Sequence, residues 1–254
     1  MANKGGNRIV ETGATCPHCG RPMKAICIPA LRLQIPIQCE CVTRRQKADE
    51  VRFKADQRER YLHRIAAECG MPKRERGYGF DNFRPRPGTE KALRWCREYA
   101  DQFERIRTTG KGLFLFGSTG SGKTHLACAV GNQLLAAGIP VVYWSVPALY
   151  RKIKASFGRD SSCSEEDVLE PCLTAALLIL DDVGAEKPSE WTASTAYSII
   201  NDRSDNLRPT ILTSNAPMDE LETGKVLDGR TISRIAEACT MVKVAATDFR
   251  REKH

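Results

Sequence analysis

The sequence predicts an α/β fold, a parallel sheet with helices on both faces, preceded by a small metal-binding module. Three observations predict it. From residue 93 to residue 245, short apolar runs of strand length alternate with segments of helical periodicity. The Gly-rich stretch Gly-Ser-Thr-Gly-Ser-Gly-Lys-Thr, residues 117–124, stands between one such run and one such helix. Five of the eleven cysteines crowd into residues 16–41, four of them in two close pairs.

The cysteines open the chain. Cys16-Pro-His-Cys19 is a C-x₂-C knuckle, and Cys39-Glu-Cys41 follows it. Four thiolates in two close pairs suit tetrahedral Zn²⁺. Gly20 helps the turn place the first two sulfurs. The segment between the pairs has little apolar content for a core of its own, so metal is expected to supply its folding energy. Cys27 and His18 compete as ligands. A redox Cys-x-x-Cys is the alternative, but no βαβ pattern surrounds it. The other six cysteines, at 69, 96, 128, 163, 172 and 239, are scattered, several in apolar helical patterns, and read as small core residues.

The first ten residues are polar and no apolar stretch is long enough to span a bilayer. The expected location is cytoplasmic, with no membrane partner, and the cysteines are then no disulfide framework. Net charge is +8, unevenly divided. Residues 1–111 hold 24 Lys and Arg against 13 Asp and Glu; residues 112–254 hold 15 against 18. A basic N-terminal half suggests nucleic acid or an acidic protein partner, against the plainer reading of a solvated charged surface.

Thr43 to Cys69 is highly charged, with Val51, Tyr61, Leu62, Ile65 and Ala66 as sparse apolar positions, and reads as an exposed helix. Gly70-Met71-Pro72 stops it. Residues 73–79 read as a basic linker and Pro85–Gly88 as a further break. The chain is therefore divided into residues 1–75, a zinc-binding and helical module suited to docking a partner, and residues 76–254. In the second part, an amphipathic helix over 93–106 leads to a strand at 112–116. Helical spacing follows to 135. Then come a strand at 138–144, a helix at 146–157 with Arg151, Lys152 and Lys154 on its polar side, and a polar break at 160–167. An apolar run at 175–180, a helix at 189–206, a strand at 210–213, a helix at 231–239 and a strand at 241–245 complete it.

The chemistry sits at the strand ends. In Gly117, Ser118, Thr119, Gly120, Ser121 and Gly122 the glycines let the backbone curl until its N–H groups point at an anion, and the helix N-terminus adds its own. Lys123 places a charge on the β- and γ-phosphates of ATP, and Thr124 offers a hydroxyl to Mg²⁺. Leu177–Asp181 is a buried strand delivering a carboxylate to its C-terminal end, where ligands of such sheets bind. Asp181 would hold Mg²⁺ through water, and Asp182 is placed to orient or deprotonate an attacking water. Asn215, ending the next strand, could bond that water or the γ-phosphate.

Phosphate loop, acidic strand end and polar strand end, in that order, resemble the AAA+ class. The finer text, from the phosphate loop through Leu-Asp181-Asp182-Val-Gly184-Ala-Glu186 to Pro209-Thr-Ile-Leu-Thr-Ser-Asn215, resembles the bacterial helicase-loader family typified by DnaC and DnaI, over about residues 78–254. The cysteine cluster more loosely resembles the N-terminal module of the DnaI branch. The transposase-helper ATPase IstB shares the core and is the nearest alternative. The resemblance implies an ATPase, with Asp182 where many AAA+ proteins have Glu. It implies that Arg234 is an arginine finger reaching a neighbouring subunit's ATP, and that Arg250 touches nucleotide in cis. Arg230 and Arg203 are the plainer alternatives for these roles. It implies that Phe157, Ser189 and Trp191 meet single-stranded DNA, and that subunits assemble through the ATP site. The function implied is ATP-dependent loading of a replicative helicase hexamer onto single-stranded DNA at initiation of replication. A nucleotide-regulated binding module with negligible turnover is the reading from another class.

Overall fold

A computed structural model describes residues 8–158 and 163–248, without the side chains of Leu62 and Ile65. Arg250 and the first part of the expected polar break therefore lie outside the described residues. The chain forms two compact units, Met1–Tyr61 and Leu62–His254.

In the first unit, β1 (Arg8–Thr15), β2 (Pro22–Ile28) and β3 (Leu33–Ile37) make an antiparallel sheet in that order. Ile9, Ile26 and Ile35 stand opposite one another across it. These strands were not expected. Their period-2 signal is five to eight residues long and diluted by Pro36, Gly13 and charged positions. The unit buries little: among its described residues only Cys16 and Ala25 are buried. Helix α1 (Glu40–Glu68) follows, beginning between the second pair of cysteines and crossing the division between the units. Its exposed Val51 and Phe53 agree with the exposed helix expected from composition.

The second unit holds α2 (Glu90–Asp101), α3 (Phe103–Ile106), β4 (Gly112–Phe116), α4 (Lys123–Ala136), β5 (Val141–Ser145) and α5 (Val146–Ser156). It continues with α6 (Glu165–Thr174), β6 (Leu177–Val183), α7 (Glu190–Asp205), β7 (Thr210–Ser214), α8 (Met218–Thr223), α9 (Gly229–Ala238) and β8 (Cys239–Lys243). The sheet order is β5-β6-β7-β4-β8, and every described pairing is parallel. Successive residues feed opposite faces. Leu113, Leu115, Leu177, Ile179 and Ile211 enter one apolar layer with α2 and α4. Phe114, Leu178, Leu180 and Leu212 enter the other, with α5, α6, α7 and α9. Burial on both faces explains why these strands read as unbroken apolar runs.

Three elements differ from expectation. The last three residues of the expected break at 160–167 are the start of α6, whose N-cap Ser164 and Asp167 form a reciprocal capping box. The helix expected over 93–106 is two, parted at Gln102. The stretch expected as a linker at 70–80 is packed instead. Cys69 and Met71 are buried, the Tyr143 N–H donates to the Cys69 carbonyl at 2.7 Å, and the Asn132 amide donates to the carbonyls of Glu75 and Tyr78 at 2.9 and 2.7 Å. The compact units accordingly part at residue 61, ahead of the expected 75.

Arg203 is a fully buried cation on α7. Its guanidinium donates to the carbonyls of Cys172, Ala175 and Pro209 at 2.7, 3.0 and 2.5 Å and to the Thr210 hydroxyl at 2.9 Å. It ties the ends of α6 and α7 to the start of β7, so it is a structural residue and not a candidate for contact with nucleotide. Burial lowers its pKa to about 10, which leaves it charged at neutral pH.

Candidate functional site

The phosphate loop connects β4 to α4 as the sequence implied. Gly122, the N-cap of α4, has φ +106, and a Cβ there would lie 2.8 Å from the Phe83 ring. Lys123 is buried, and its ammonium donates to the carbonyls of Gly117 and Ser118 and to Asn215 Oδ1, each at 2.9 Å. Asn215 thus meets the loop from the end of β7. Within the loop the Ser121 hydroxyl is buried and has no hydrogen-bond partner among the described residues.

Asp181 collects three hydroxyl donors. Thr124 and Thr213 donate to Oδ1 at 2.9 and 2.7 Å, and Tyr143 donates to Oδ2 at 2.9 Å. The carboxylate raises the Tyr143 pKa further, beyond the rise that burial produces, so the phenol stays a donor. Asp182 stands where β6 slips register against β7, with φ +59 and its N–H on the Thr213 hydroxyl at 3.0 Å. An irregularity of this kind re-aims a side chain, and Asp181 and Asp182 both line the same cavity.

That cavity measures about 580 Å³ and also takes in Thr119, Gly120, Gly122, Lys123, Thr124 and Asn215. Its volume is in the range of a small-molecule or cofactor site. The opposite wall comes from residues 74–86, of which only the first part was read as a linker. Tyr78 stacks on His125 at 4.4 Å, Phe83 meets His125 edge-on at 5.1 Å, and Asn82, Arg84 and Arg86 complete the lining. Burial lowers the His125 pKa, so the ring is neutral at pH 7, held on the Gly79 carbonyl at 2.9 Å. Sequence reading missed this wall. The Tyr-Gly-Phe-Asp-Asn-Phe run over 78–83 was its one signal.

The remaining expected residues lie elsewhere in this unit. Arg234 is outside the cavity lining, paired with Asp205 and Glu237 at 3.4 Å each. Arg230 pairs with Asp228 at 3.0 Å and lies over the Tyr197 ring. Phe157 is 56% exposed and meets Trp191 edge-on at 6.5 Å, while the Lys154 ammonium lies 4.8 Å over the Trp191 ring. Half-buried Trp191 also packs on Tyr150 at 5.4 Å. The Ser189 hydroxyl accepts from the Thr192 N–H and caps α7.

In the first unit, Cys16, Cys19, Cys39 and Cys41 place their sulfurs within 4.8 Å of one another. Cys16–Cys41 and Cys19–Cys39 are each 3.5 Å apart. A tetrahedron with Zn–S bonds of about 2.3 Å has edges of about 3.8 Å, so this donor set fits zinc. Cys27, on β2, and His18 are outside the group. The His18 backbone N–H pulls the Cys16 pKa down to about 6, and the neighbouring thiol of Cys19 pushes that of Cys41 up to about 12.

Sheet order, phosphate loop and paired acidic and polar strand ends define an ATP-binding protein of the AAA+ type. Residues 102–254 match the family of IstB-like ATP binding proteins. The replicative helicase loader DnaC of Escherichia coli K12 is 30% identical over 176 residues, 68% of this chain and 69% of DnaC. A crystal structure of the DnaC helicase loader superposes with a TM-score of 0.59 and 27% identity, covering 68% of this chain and 99% of that one. One of DnaI superposes at 0.58 with 26% identity, over 70% and 94%. This chain belongs to the IstB-like ATP binding protein family, within which it is similar to DnaC. No helix among the described residues is long and apolar enough to cross a membrane.

Proposed function

We propose that this protein is an ATPase that loads a replicative helicase hexamer onto single-stranded DNA. The similarity to DnaC across two thirds of both chains carries the reading. The cavity supplies its chemistry. Loop N–H groups and Lys123 hold the phosphates, and Tyr78, Phe83 and His125 offer apolar ring faces for the base. Thr124 and Asp181 would hold Mg²⁺, which neutralises phosphate charge. Asp182 orients water and accepts its proton, and Asn215 fixes the γ-phosphate end. Arg234 stands outside its own cavity, which suits a guanidinium given to a neighbour's ATP in an assembly of subunits. In a mixture, a wild-type neighbour should restore turnover to an Arg234→Ala chain; restoration by the variant's own site would sink the role in trans.

Lys154, Phe157 and Trp191 form a cationic and aromatic platform of the kind that holds single strands without reading sequence. Residues 1–75, which contribute little to the cavity, serve as the grip on the helicase. The deciding experiment is transfer of the cognate helicase to circular single-stranded DNA. The wild-type chain with ATP should promote it. A Phe157→Ala, Trp191→Ala double variant should bind ATP as tightly but lose about tenfold or more in single-strand affinity. The family description favours one other reading, an IstB-like transposition helper. If the chain captured a transposase and duplex DNA and left the helicase unloaded, that reading would replace this one.

A further inference from the structure

The C-terminal segment after β8 runs along the phosphate loop. The Val244 N–H donates to the Phe116 carbonyl at 2.8 Å, and the Ser118 hydroxyl donates to the Ala246 carbonyl at 2.5 Å. Asp248 lies against Gly120 so closely that a Cβ there would come within 1.8 Å of its carboxylate. The chain entering the domain joins the same cluster. The Ala245 N–H donates to the Gly88 carbonyl at 3.2 Å, and a Cβ on Gly88 would strike the Ala245 carbonyl.

Arg86 is the cross-piece. One guanidinium nitrogen donates to the Thr247 carbonyl at 2.7 Å, and the other donates to the loop carbonyls of Gly120 and Ser121 at 3.1 and 3.4 Å. Its backbone is set by Thr89, a fully buried threonine whose hydroxyl donates to the Arg86 carbonyl and accepts from the Arg86 N–H. A guanidinium is suited to this task because its donors form a rigid planar fork. Here the fork spans two segments 126 or more positions apart in the chain, and nothing in the phosphate chemistry requires it.

We infer that Arg86 is a positioning residue that locks the C-terminal segment to the phosphate loop, so that nucleotide binding and ordering of that segment are one event. The inference rests on the loop's binding a nucleoside triphosphate. Phosphates fix the loop, the fixed carbonyls of Gly120 and Ser121 fix the guanidinium, and the guanidinium fixes Thr247. By linkage, a segment held in place favours the loop conformation that binds nucleotide. A side chain that merely propped up the loop would leave the C-terminal segment indifferent to nucleotide.

The test compares full-length wild type, Arg86→Ala and Arg86→Lys. Affinity for ADP and for a non-hydrolysable ATP analogue is measured by titration, and hydrogen exchange is followed in peptides covering residues 240–254. In wild type, saturating nucleotide should slow exchange at 244–248. In Arg86→Ala, affinity should fall about tenfold, the worth of one charged hydrogen bond. Exchange at 246–248, beyond the amides that Phe116 and Gly88 hold, should then stay fast even when the site is saturated. Arg86→Lys keeps the charge without the fork and should fall between. Equal protection of the segment in wild type and Arg86→Ala at saturation would overturn the inference, as would unchanged affinity in both variants. A wild-type chain that bound neither nucleotide would overturn the nucleotide reading itself, and this inference with it.

Discussion

Replacing Lys123 with alanine should weaken ATP binding by about a hundredfold or more while leaving the second unit folded. The ammonium is buried in the floor of the loop and ends on three acceptors at 2.9 Å, one of them Asn215 from a different strand. It is thus pre-positioned, and phosphate arrives at a charge that needs no further ordering. A charge-assisted hydrogen bond is worth about 1.5–3 kcal/mol, and the lysine faces more than one phosphate oxygen. Arginine should not rescue the loss, because a planar fork does not fit where a point charge has been enclosed. Titration with a fluorescent ATP analogue checks this, with a thermal melt as the control for folding. Affinity within tenfold of wild type would remove Lys123 from the centre of the site.

The second large effect concerns the cysteine cluster. Cys16→Ser with Cys19→Ser should release about one zinc per chain and unfold residues 8–41, with ATP affinity preserved. Cys16 and Ala25 are the only buried side chains among the described residues of the first unit, and three short strands cannot hold themselves on so little. Structural zinc contributes an apparent 10–16 kcal/mol in small zinc domains, roughly. Without metal, the same four sulfurs are thiols and thiolates in mutual contact, which is a repulsive arrangement for more than one charge. Metal analysis of reduced protein and amide exchange over residues 8–41 are the measurements. Protein that is purified under reducing conditions, is folded in this region and carries no zinc would refute the assignment.

What was legible in the sequence was chemistry held in short, contiguous text. The phosphate loop, Asp181 with Asp182, and the two cysteine pairs could be read because each motif carries its geometry within a few residues. Asn215 was legible because a strand end in this architecture points at the loop. What could not be read was distance. Tyr78 and Phe83 gain their meaning from His125, more than 40 positions away, and the surrounding prolines and basic residues looked like a linker. Arg86 gains its meaning from Thr247, 161 positions away. Helix α6 was a different failure. Its start does carry a local signal, Ser164 followed three residues on by Asp167, but the polarity of residues 160–167 read as a break. The β-strands of the first unit were hidden because they alternate without burying one face.

Arg203 has a consequence for how the second unit comes apart. Its guanidinium is shared between the turn after α6 and the turn before β7, two connections that are otherwise separate in the chain. Withdrawing either turn takes acceptors away from a buried cation that stays bonded to the other, so a half-opened state loses charged hydrogen bonds while the guanidinium is still shut off from water. The two turns therefore behave as a single latch. Fraying that begins at one is passed to the other, which couples the strands that follow them, β6 with Asp181 and β7 leading to Asn215. The acidic and polar ends that face the phosphate loop share one cooperative unit, which keeps partial melting from parting them.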